Sequence, residues 1–318
     1  MRRRHLLGQA VALPWLALAP WRAAHAAVVD ASWRDERRDR SLPLRVRWPE
    51  GEAPCALVVH SHGLGGSRSG GDVWGEAWRR AGLAVVHVQH PGSDTQVLRA
   101  GMAAMRNAAS AEQLRERIAD VRFLIDEVER RSRAGEPGWA RVRLDALGVS
   151  GHSFGAHTVQ ALAGQRYPAA AAHLADPRCK AFIAFSPSPG RVANAFAGVT
   201  RPFLAVTGSH DNDPLCGALT GEERARVYDS LPPGSRALLW LEGADHMSFD
   251  GNGEQRLQAR LGPLKREAGA AEHEAQHHTL VANLTTLWWR AHLLGDATAA
   301  AALRQPSGLG AGDRWRQD

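Results

Sequence analysis

Short apolar runs alternate along the chain with longer segments in which apolar residues recur every three or four positions. Runs such as residues 56–60 are typical of parallel strands covered on both faces, and the spacing within residues 111–131 is helical. The predicted strands are 28–33, 42–48, 56–60, 83–88, 143–150, 181–185, 203–207 and 237–241, and the predicted helices are 72–81, 111–131, 154–164 and 276–294. This order predicts an α/β fold, with an antiparallel entry pair followed by a mostly parallel sheet that has helices on both faces.

The first 26 residues have the pattern of an export signal. Three arginines, residues 2–4, precede an apolar stretch at residues 6–19, and Ala24-His25-Ala26 then matches the cleavage pattern of signal peptidase. The Arg3-Arg4 pair also resembles a twin-arginine signal, and the alternative is an ordinary amphipathic helix. We expect residues 1–26 to be a signal peptide and the protein to be exported, either periplasmic or secreted. No later apolar run has the ~20 residues that a membrane span needs.

Net charge and chain length help to decide which partners the protein binds and how many domains it has. The 318 residues carry a formal net charge of +6, with 39 basic and 33 acidic residues. Removal of the four arginines in residues 1–26 leaves 35 basic residues and a net charge of +2, without a basic patch. Nucleic-acid binding is therefore not expected. We expect residues 27–295 to form one α/β domain and residues 296–318, which are rich in Ala and Gly, to form a flexible tail.

The strongest motif is the pentapeptide GHSFG at residues 151–155, which has the form G-x-S-x-G. It follows a predicted strand and precedes a predicted helix, which is the context of a nucleophile elbow. In such an elbow the serine sits on a strained turn, and Gly151 and Gly155 leave room for it. The motif predicts Ser153 as a catalytic nucleophile.

A serine nucleophile needs a base, and the base needs an acid to orient it. In hydrolases with this elbow the chain order is Ser, then Asp or Glu, then His, each after a later strand. His246 follows the last predicted strand and is the predicted base. Asp211 follows the strand before it and is the preferred acid, with Asp213 as the alternative. Asp245 is disfavoured because it would have to fold back onto its neighbour.

The oxyanion formed by attack on a carbonyl needs backbone N–H donors. One predicted donor is Phe154, which directly follows the nucleophile. The other is Leu64, which lies in the glycine-rich turn HGLGG at residues 62–66, after the strand at 56–60. A glycine turn needed only for tight packing would explain these glycines but not their placement.

Three motifs together carry a family resemblance: GHSFGA at 151–156, SHGLGG at 61–66 and HPGSD at 90–94. They resemble bacterial α/β-hydrolases related to platelet-activating-factor acetylhydrolase, a group often labelled predicted dienelactone hydrolase, over about residues 30–250. The resemblance implies an α/β-hydrolase fold and ester hydrolysis without cofactor or metal. It also implies Ser153, Asp211 and His246 as nucleophile, acid and base, and Leu64 and Phe154 as oxyanion donors. The chain departs from the pattern in two ways, because true dienelactone hydrolases have a cysteine nucleophile and the acetylhydrolases often have glycine at the position of Ala156.

The expected substrate is a small-molecule or lipid-like ester. Residues 92–112 contain no predicted strand and are interpreted as a lid or loop over the site, and they are predicted to line it together with residues 187–200. Their Met, Ala, Val and Phe content favours an apolar group of modest size, such as a short-to-medium acyl chain. Truncated phospholipids, triglycerides and polyester chains are compatible with the same prediction.

Two alternatives come from other classes of protein. His273-Glu274-Ala275-Gln276-His277 matches H-E-x-x-H, the motif in which zinc peptidases use two histidines and a glutamate. The glycine and histidine that extend this motif in metzincins are absent after His277, no glutamate follows it, and the first aspartate is Asp296. The second alternative is a hydrolase-fold binding protein without catalytic activity, which would turn over no ester.

Overall fold

The computed structural model describes residues 27–168, 174–215, 219–252 and 266–318 of the protein. The predicted signal peptide, residues 1–26, lies outside these ranges. The strands are β1 (Val28–Asp35), β2 (Arg40–Arg47), β3 (Cys55–Ser61), β4 (Ala84–Val88), β5 (Val142–His152), β6 (Cys179–Phe185), β7 (Phe203–His210), β8 (Arg236–Asp245) and β9 (Arg314–Gln317). The helices are α1 (Asp72–Arg80), α2 (Thr95–Arg99), α3 (Met102–Ala108), α4 (Ala111–Arg133), α5 (Phe154–Ala163), α6 (Gly221–Ser230), α7 (Glu274–Leu294) and α8 (Ala297–Arg304).

The strands form one sheet in the order β1-β2-β4-β3-β5-β6-β7-β8-β9. The six central strands, from β4 to β8, are parallel to their neighbours. The edges are antiparallel, since β1 pairs with β2, β2 with β4, and β9 with β8. The prediction of a mostly parallel sheet with an antiparallel entry pair is confirmed.

Two apolar cores lie on opposite faces of this sheet. Helices α4, α5 and α6 pack on one face, and α1 and α7 pack on the other. Strand β3 supplies both cores, because Leu57 and Val59 point to the first and Ala56 and Val58 to the second. All seven β3 residues are buried, which explains why this strand is a continuous apolar run in the sequence rather than an alternating one.

Helix α4 is capped by Ser110, the residue before its first turn, whose side chain accepts a hydrogen bond from the amide of Gln113. Its buried face carries the apolar stripe that the sequence predicted. The same face also buries two charged residues, Arg117 and Asp120, each with no exposed surface. Fully buried charges are rare unless they have partners, so their contacts are described with the site.

The prediction of a flexible tail at residues 296–318 is wrong for the secondary structure of this segment. Residues Ala297–Arg304 form α8, and Arg314–Gln317 form the edge strand β9, in which Trp315 pairs with Leu239 of β8. The Arg314 guanidinium lies 4.1 Å from the ring centroid of Trp240. The segment contains little apolar pattern because an edge strand buries few side chains, and its order comes from pairing with a strand that is distant in sequence.

Candidate active site

Ser153 lies on the turn between β5 and α5, in a backbone conformation that residues with a side chain rarely adopt. Its φ is 55° and its ψ is −113°, and its amide donates to the carbonyl oxygen of Phe185 at 3.0 Å. The neighbouring glycines make this turn possible. A Cβ at Gly155 would overlap the carbonyl oxygen of Ser61, and one at Gly151 would lie 2.6 Å from the carbonyl oxygen of Gly155. The sequence-predicted elbow is therefore present in the fold.

Three sequence-predicted residues from three different strand ends meet at this turn. The Ser153 hydroxyl donates to Nε2 of His246, with Oγ and Nε2 2.9 Å apart. The other ring nitrogen, Nδ1, donates to Oδ1 of Asp211 at 2.7 Å. The hydroxyl of Thr207 donates to Oδ2 of Asp211, also at 2.7 Å, so both carboxylate oxygens are held. This row of hydroxyl, imidazole and carboxylate can move a proton from the hydroxyl to the imidazole.

Arg224 supports the carboxylate from the protein interior and was not found by sequence reasoning. Its Nε donates to the main-chain oxygen of Asp211 at 2.8 Å and lies 3.2 Å from Oδ1. Its Nη1 donates to the carbonyl oxygens of Ser186 and Pro187, each at 3.1 Å. Burial disfavours the charged carboxylate, but the Arg224 charge and the hydrogen bonds from His246 and Thr207 outweigh it and lower the pKa of Asp211. Asp211 is thus held as the anion.

The two other aspartates considered from the sequence have different partners. Oδ1 of Asp213 accepts from the amide of Leu215 at 2.9 Å. Asp245 caps a short 3-10 turn at His246–Phe249, where its Oδ1 accepts from the amide of Ser248, and its Oδ2 accepts from Arg266 at 2.7 Å. Asp211 is the carboxylate that the fold brings to His246.

His152, the residue before the serine, holds the backbone of His246. Its Nε2 donates to the His246 carbonyl oxygen at 2.9 Å, and the two ring centroids are 4.7 Å apart. On its other side, a Cβ at Gly63 would lie 3.1 Å from Nδ1 of His152 and 3.5 Å from Cβ of Ser153. The glycine-rich turn therefore comes directly against the elbow. The G-x-S-x-G pattern leaves the second position unspecified and carries no signal for this contact.

Two amides of the turn at residues 62–66 donate to acceptors within the protein. Gly65 donates to the carbonyl oxygen of Ser93 at 2.9 Å, and Gly66 donates to that of Gly63 at 3.1 Å. The amides of Leu64 and Phe154 have no acceptor within the described ranges of the chain. Phe154 is the first residue of α5, where helix geometry leaves the N–H without an intrahelical partner. The two sequence-predicted donors are thus available to a ligand oxygen.

Both segments that the sequence predicted to line the site lie beside it. Helices α2 and α3 pack on the glycine-rich turn, because a Cβ at Gly65 would lie 3.1 Å from Cβ of Leu98 and 3.0 Å from Sδ of Met105. The start of residues 187–200 is joined to α5 at Ser188, whose carbonyl oxygen accepts from the side-chain amide of Gln160 at 2.7 Å.

The H-E-x-x-H motif lies at the start of α7. His273 precedes the first residue of the helix, and its ring centroid is 5.9 Å from that of His277. Glu274 is paired with Arg266 at 3.2 Å. Within the ranges that the structure describes, no cluster of three His, Cys, Asp or Glu side chains could hold a metal ion. None of the described helices is long and apolar enough to cross a membrane.

Comparison with known proteins identifies the fold. No family model and no curated protein sequence matches the chain. Among solved structures, it is similar to a ferulic acid esterase from Streptomyces cinnamoneus, with 19% sequence identity and a TM-score of 0.55. The match covers 85% of this chain and 89% of the esterase. Together with the sheet order and the helices on both faces, this likeness shows that the protein has the α/β-hydrolase fold.

Proposed function

We propose that this protein is a serine hydrolase that cleaves a carboxylic ester. The observation that carries the proposal is the continuous row from Ser153 through His246 to Asp211, with contacts of 2.9 and 2.7 Å. It is supported by the strained elbow and by two unused amides beside it, at Leu64 and Phe154. The structural neighbour is itself named as an esterase, which agrees with this reaction class.

In the first half of the reaction, Oγ of Ser153 attacks the ester carbonyl carbon while Nε2 of His246 takes the hydroxyl proton. Asp211 stabilises the imidazolium that forms, because it stays ionised beside Nδ1. The amides of Leu64 and Phe154 donate to the oxyanion of the tetrahedral intermediate. The C–O bond to the alcohol then breaks, and the leaving alcohol takes the proton from His246.

In the second half, a water molecule attacks the acyl-Ser153 carbonyl carbon and transfers a proton to His246. The second tetrahedral intermediate collapses, the bond to Oγ of Ser153 breaks, and Oγ recovers the proton from the imidazolium. The carboxylic acid leaves and the resting state is restored. The reaction draws on no group beyond these residues and water.

The proposed substrates are esters with an apolar acyl group of short to medium length or a lipid-like chain. This proposal is supported by the packing of Leu98 and Met105 against Gly65, which brings apolar side chains close to the turn that holds Leu64. Because the structural neighbour is named as a ferulic acid esterase, a feruloyl ester should be among the esters that are tested. On the pattern of residues 1–26, we propose that the reaction takes place outside the cytoplasm.

The test is hydrolysis of p-nitrophenyl butyrate by the purified wild type and by Ser153→Ala. We expect the variant to lose at least about 10³-fold in kcat, because the whole row acts through Oγ. Asp211→Asn is expected to lose about 10²- to 10⁴-fold. Asp213→Asn, which removes a charge from the same loop, is the matched control and should stay within about threefold of the wild type.

Equal rates for the wild type and Ser153→Ala would contradict the proposal for this ester. If the two proteins were equally active and chelation abolished the activity, the zinc-peptidase alternative would take its place. If Asp213→Asn lost as much activity as Asp211→Asn, the assignment of Asp211 as the acid of the row would be contradicted.

A further inference from the structure

Arg117 of α4 reaches under the glycine-rich turn from the protein interior. Its Nη2 donates to the main-chain carbonyl oxygen of His62, the first residue of that turn, and to Oγ of Ser61 at 3.1 Å. Its Nη1 donates to Oγ of Ser93 at 2.9 Å. Ser93 is the residue whose carbonyl oxygen accepts from the amide of Gly65. The guanidinium therefore holds the turn at its start and, through Ser93, near its end.

The same guanidinium also contacts α5. Its Nε donates to Oγ1 of Thr158 at 3.3 Å, and its Cζ lies 4.8 Å from the ring centroid of Phe154. The two amides proposed to hold the oxyanion belong to different segments, with Leu64 in the turn and Phe154 at the start of α5. Arg117 contacts both of these segments.

A second row of serine, histidine and aspartate completes this buried cluster. Oγ of Ser61 lies 2.9 Å from Nε2 of His90, whose Nδ1 lies 2.9 Å from Oδ2 of Asp120. The Asp120 carboxylate can only accept, so Nδ1 of His90 donates to it. Burial lowers the pKa of His90 to about 4, so its imidazole is neutral and its Nε2 accepts from the hydroxyl of Ser61. Ser61 is fully buried, its oxygen accepts from Arg117 and its proton is donated to His90, so this row is a scaffold and not a second nucleophile.

Arg38 and Arg40 balance the charge of Asp120, so the guanidinium of Arg117 donates to neutral acceptors. Asp120 receives hydrogen bonds from Arg38 at 2.8 Å and from Arg40 at 2.8 and 3.0 Å. The acceptors of Arg117 are one carbonyl oxygen and three hydroxyls. A planar fork with several donors in fixed directions fits this set, whereas a lysine ammonium is a single point charge.

We propose that Arg117 is the positioning residue of the oxyanion hole, fixing the distance between the amides of Leu64 and Phe154. This inference rests on the proposed function. Oxyanion donors act only when both lie about 2.7–3.1 Å from the position of the developing charge, so a small shift of either segment lowers transition-state binding. Arg117 does not touch the substrate, and ground-state binding does not depend on it.

The test compares Arg117→Lys and Arg117→Met with the wild type in three measurements. These are kcat and KM for p-nitrophenyl butyrate, the inhibition constant of butaneboronic acid, and that of the product butyrate. The boronic acid forms a tetrahedral adduct on Ser153 and reports on the oxyanion hole, whereas butyrate reports on ground-state binding. We expect kcat to fall at least about tenfold in both variants, with KM and butyrate affinity within threefold, and boronate affinity to fall in parallel with kcat/KM.

The matched control is Arg47→Lys, since Arg47 is also buried but pairs with Asp72 on α1. It should lower the melting temperature and leave kcat unchanged. If the Arg117 variants fail to fold, Ser93→Ala decides the question. It keeps Arg117 but removes one of its acceptors, and we expect kcat and boronate affinity to fall together by about three- to tenfold.

A folded Arg117→Lys with wild-type kcat and wild-type boronate affinity would overturn the proposal, as would a Ser93→Ala variant with both unchanged. A loss of boronate and butyrate affinity by the same factor would also overturn it, because that describes general damage to the site. Failure of the proposed function itself is distinguishable. In that case the wild type would hydrolyse no ester, or Ser153→Ala would keep the activity and the wild type would not bind the boronic acid.

Discussion

The imidazole of His152 donates from Nε2 to the main-chain carbonyl oxygen of His246, with the two atoms 2.9 Å apart. The elbow therefore carries both the proposed nucleophile, Ser153, and the side chain that holds the proposed base. His152 belongs to β5, whereas His246 directly follows β8, which is three strands away in the sheet order. The contact joins two strand ends that no backbone hydrogen bond connects directly.

His152→Leu is expected to lower kcat by about tenfold, because the buried His246 carbonyl oxygen loses its donor and the imidazole loses its fixed position. His152→Gln, whose amide can still donate, should recover most of this loss. The measurement is kcat for p-nitrophenyl butyrate at a pH where the wild type is fully active. Equal kcat for the Leu and Gln variants would show that the hydrogen bond has no part in placing His246.

Arg224→Met is expected to shift the acidic limb of the kcat/KM profile to higher pH. Arg224 is one of the causes that lower the pKa of Asp211, so its removal raises that pKa in the folded protein. The carboxylate then protonates at a higher pH as the solution is acidified, and activity is lost earlier. Arg224→Lys, which keeps the charge, should shift the limb less. A Met variant whose activity falls by the same factor at every pH would contradict this account.

The buried histidines make the free energy of unfolding depend on pH. Burial lowers the pKa of His87 to about 3, against 6.5 for the free side chain, so the folded protein keeps it neutral. Below pH 6.5 the unfolded chain binds a proton that the folded chain does not. The contribution of His87 to stability is therefore complete above pH 6.5 and is lost as the pH falls towards 3, at about 1.4 kcal/mol per pH unit.

His87→Leu should reduce the slope of unfolding free energy against pH by about one proton between pH 6 and pH 4. Urea unfolding at several pH values measures this slope. Val85→Ala, a cavity-forming change on the same buried strand, is the control and should lower stability by the same amount at each pH. A slope that is the same in His87→Leu and in the wild type would contradict the prediction.

Ending the chain at residue 312 removes β9 and tests the order of the C-terminal segment. We expect the melting temperature to fall by about 5–10 °C, because β8 loses its antiparallel partner and Trp315 its packing. We expect kcat at 25 °C to stay within threefold, since His246 lies beyond the part of β8 that pairs with β9. An unchanged melting temperature would restore the original expectation of a loose tail.

The fold was predictable where local pattern and burial coincide. The strands from β3 to β8 are apolar runs because helices cover both faces of the sheet, and each of the predicted site loops follows one of them. Ser153, Asp211 and His246 could be placed because the carboxyl ends of parallel strands share one edge. The choice between Asp211 and Asp213 could not be made from order along the chain, since it depends on how the loop turns after His210.

The supporting side chains were not predictable in the same way. Arg117 and Arg224 are charged, and charged residues on helices are normally solvated. Their burial depends on acceptors that are distant in sequence. Of the acceptors of Arg117, Ser93 is the nearest along the chain, and it is still 24 residues away. Strand β9 escaped prediction for a related reason, because its pattern is polar and only the open edge of β8 gives it a partner.

The most direct test of the central claim is covalent labelling with a fluorophosphonate, followed by mass spectrometry of the digested protein. A fluorophosphonate reacts with a serine that is activated by a neighbouring base, with loss of fluoride. We predict one adduct per chain, located on Ser153, and a labelling rate that falls sharply in Asp211→Asn. Absence of an adduct on Ser153, or an adduct on another serine at the wild-type rate, would contradict the account.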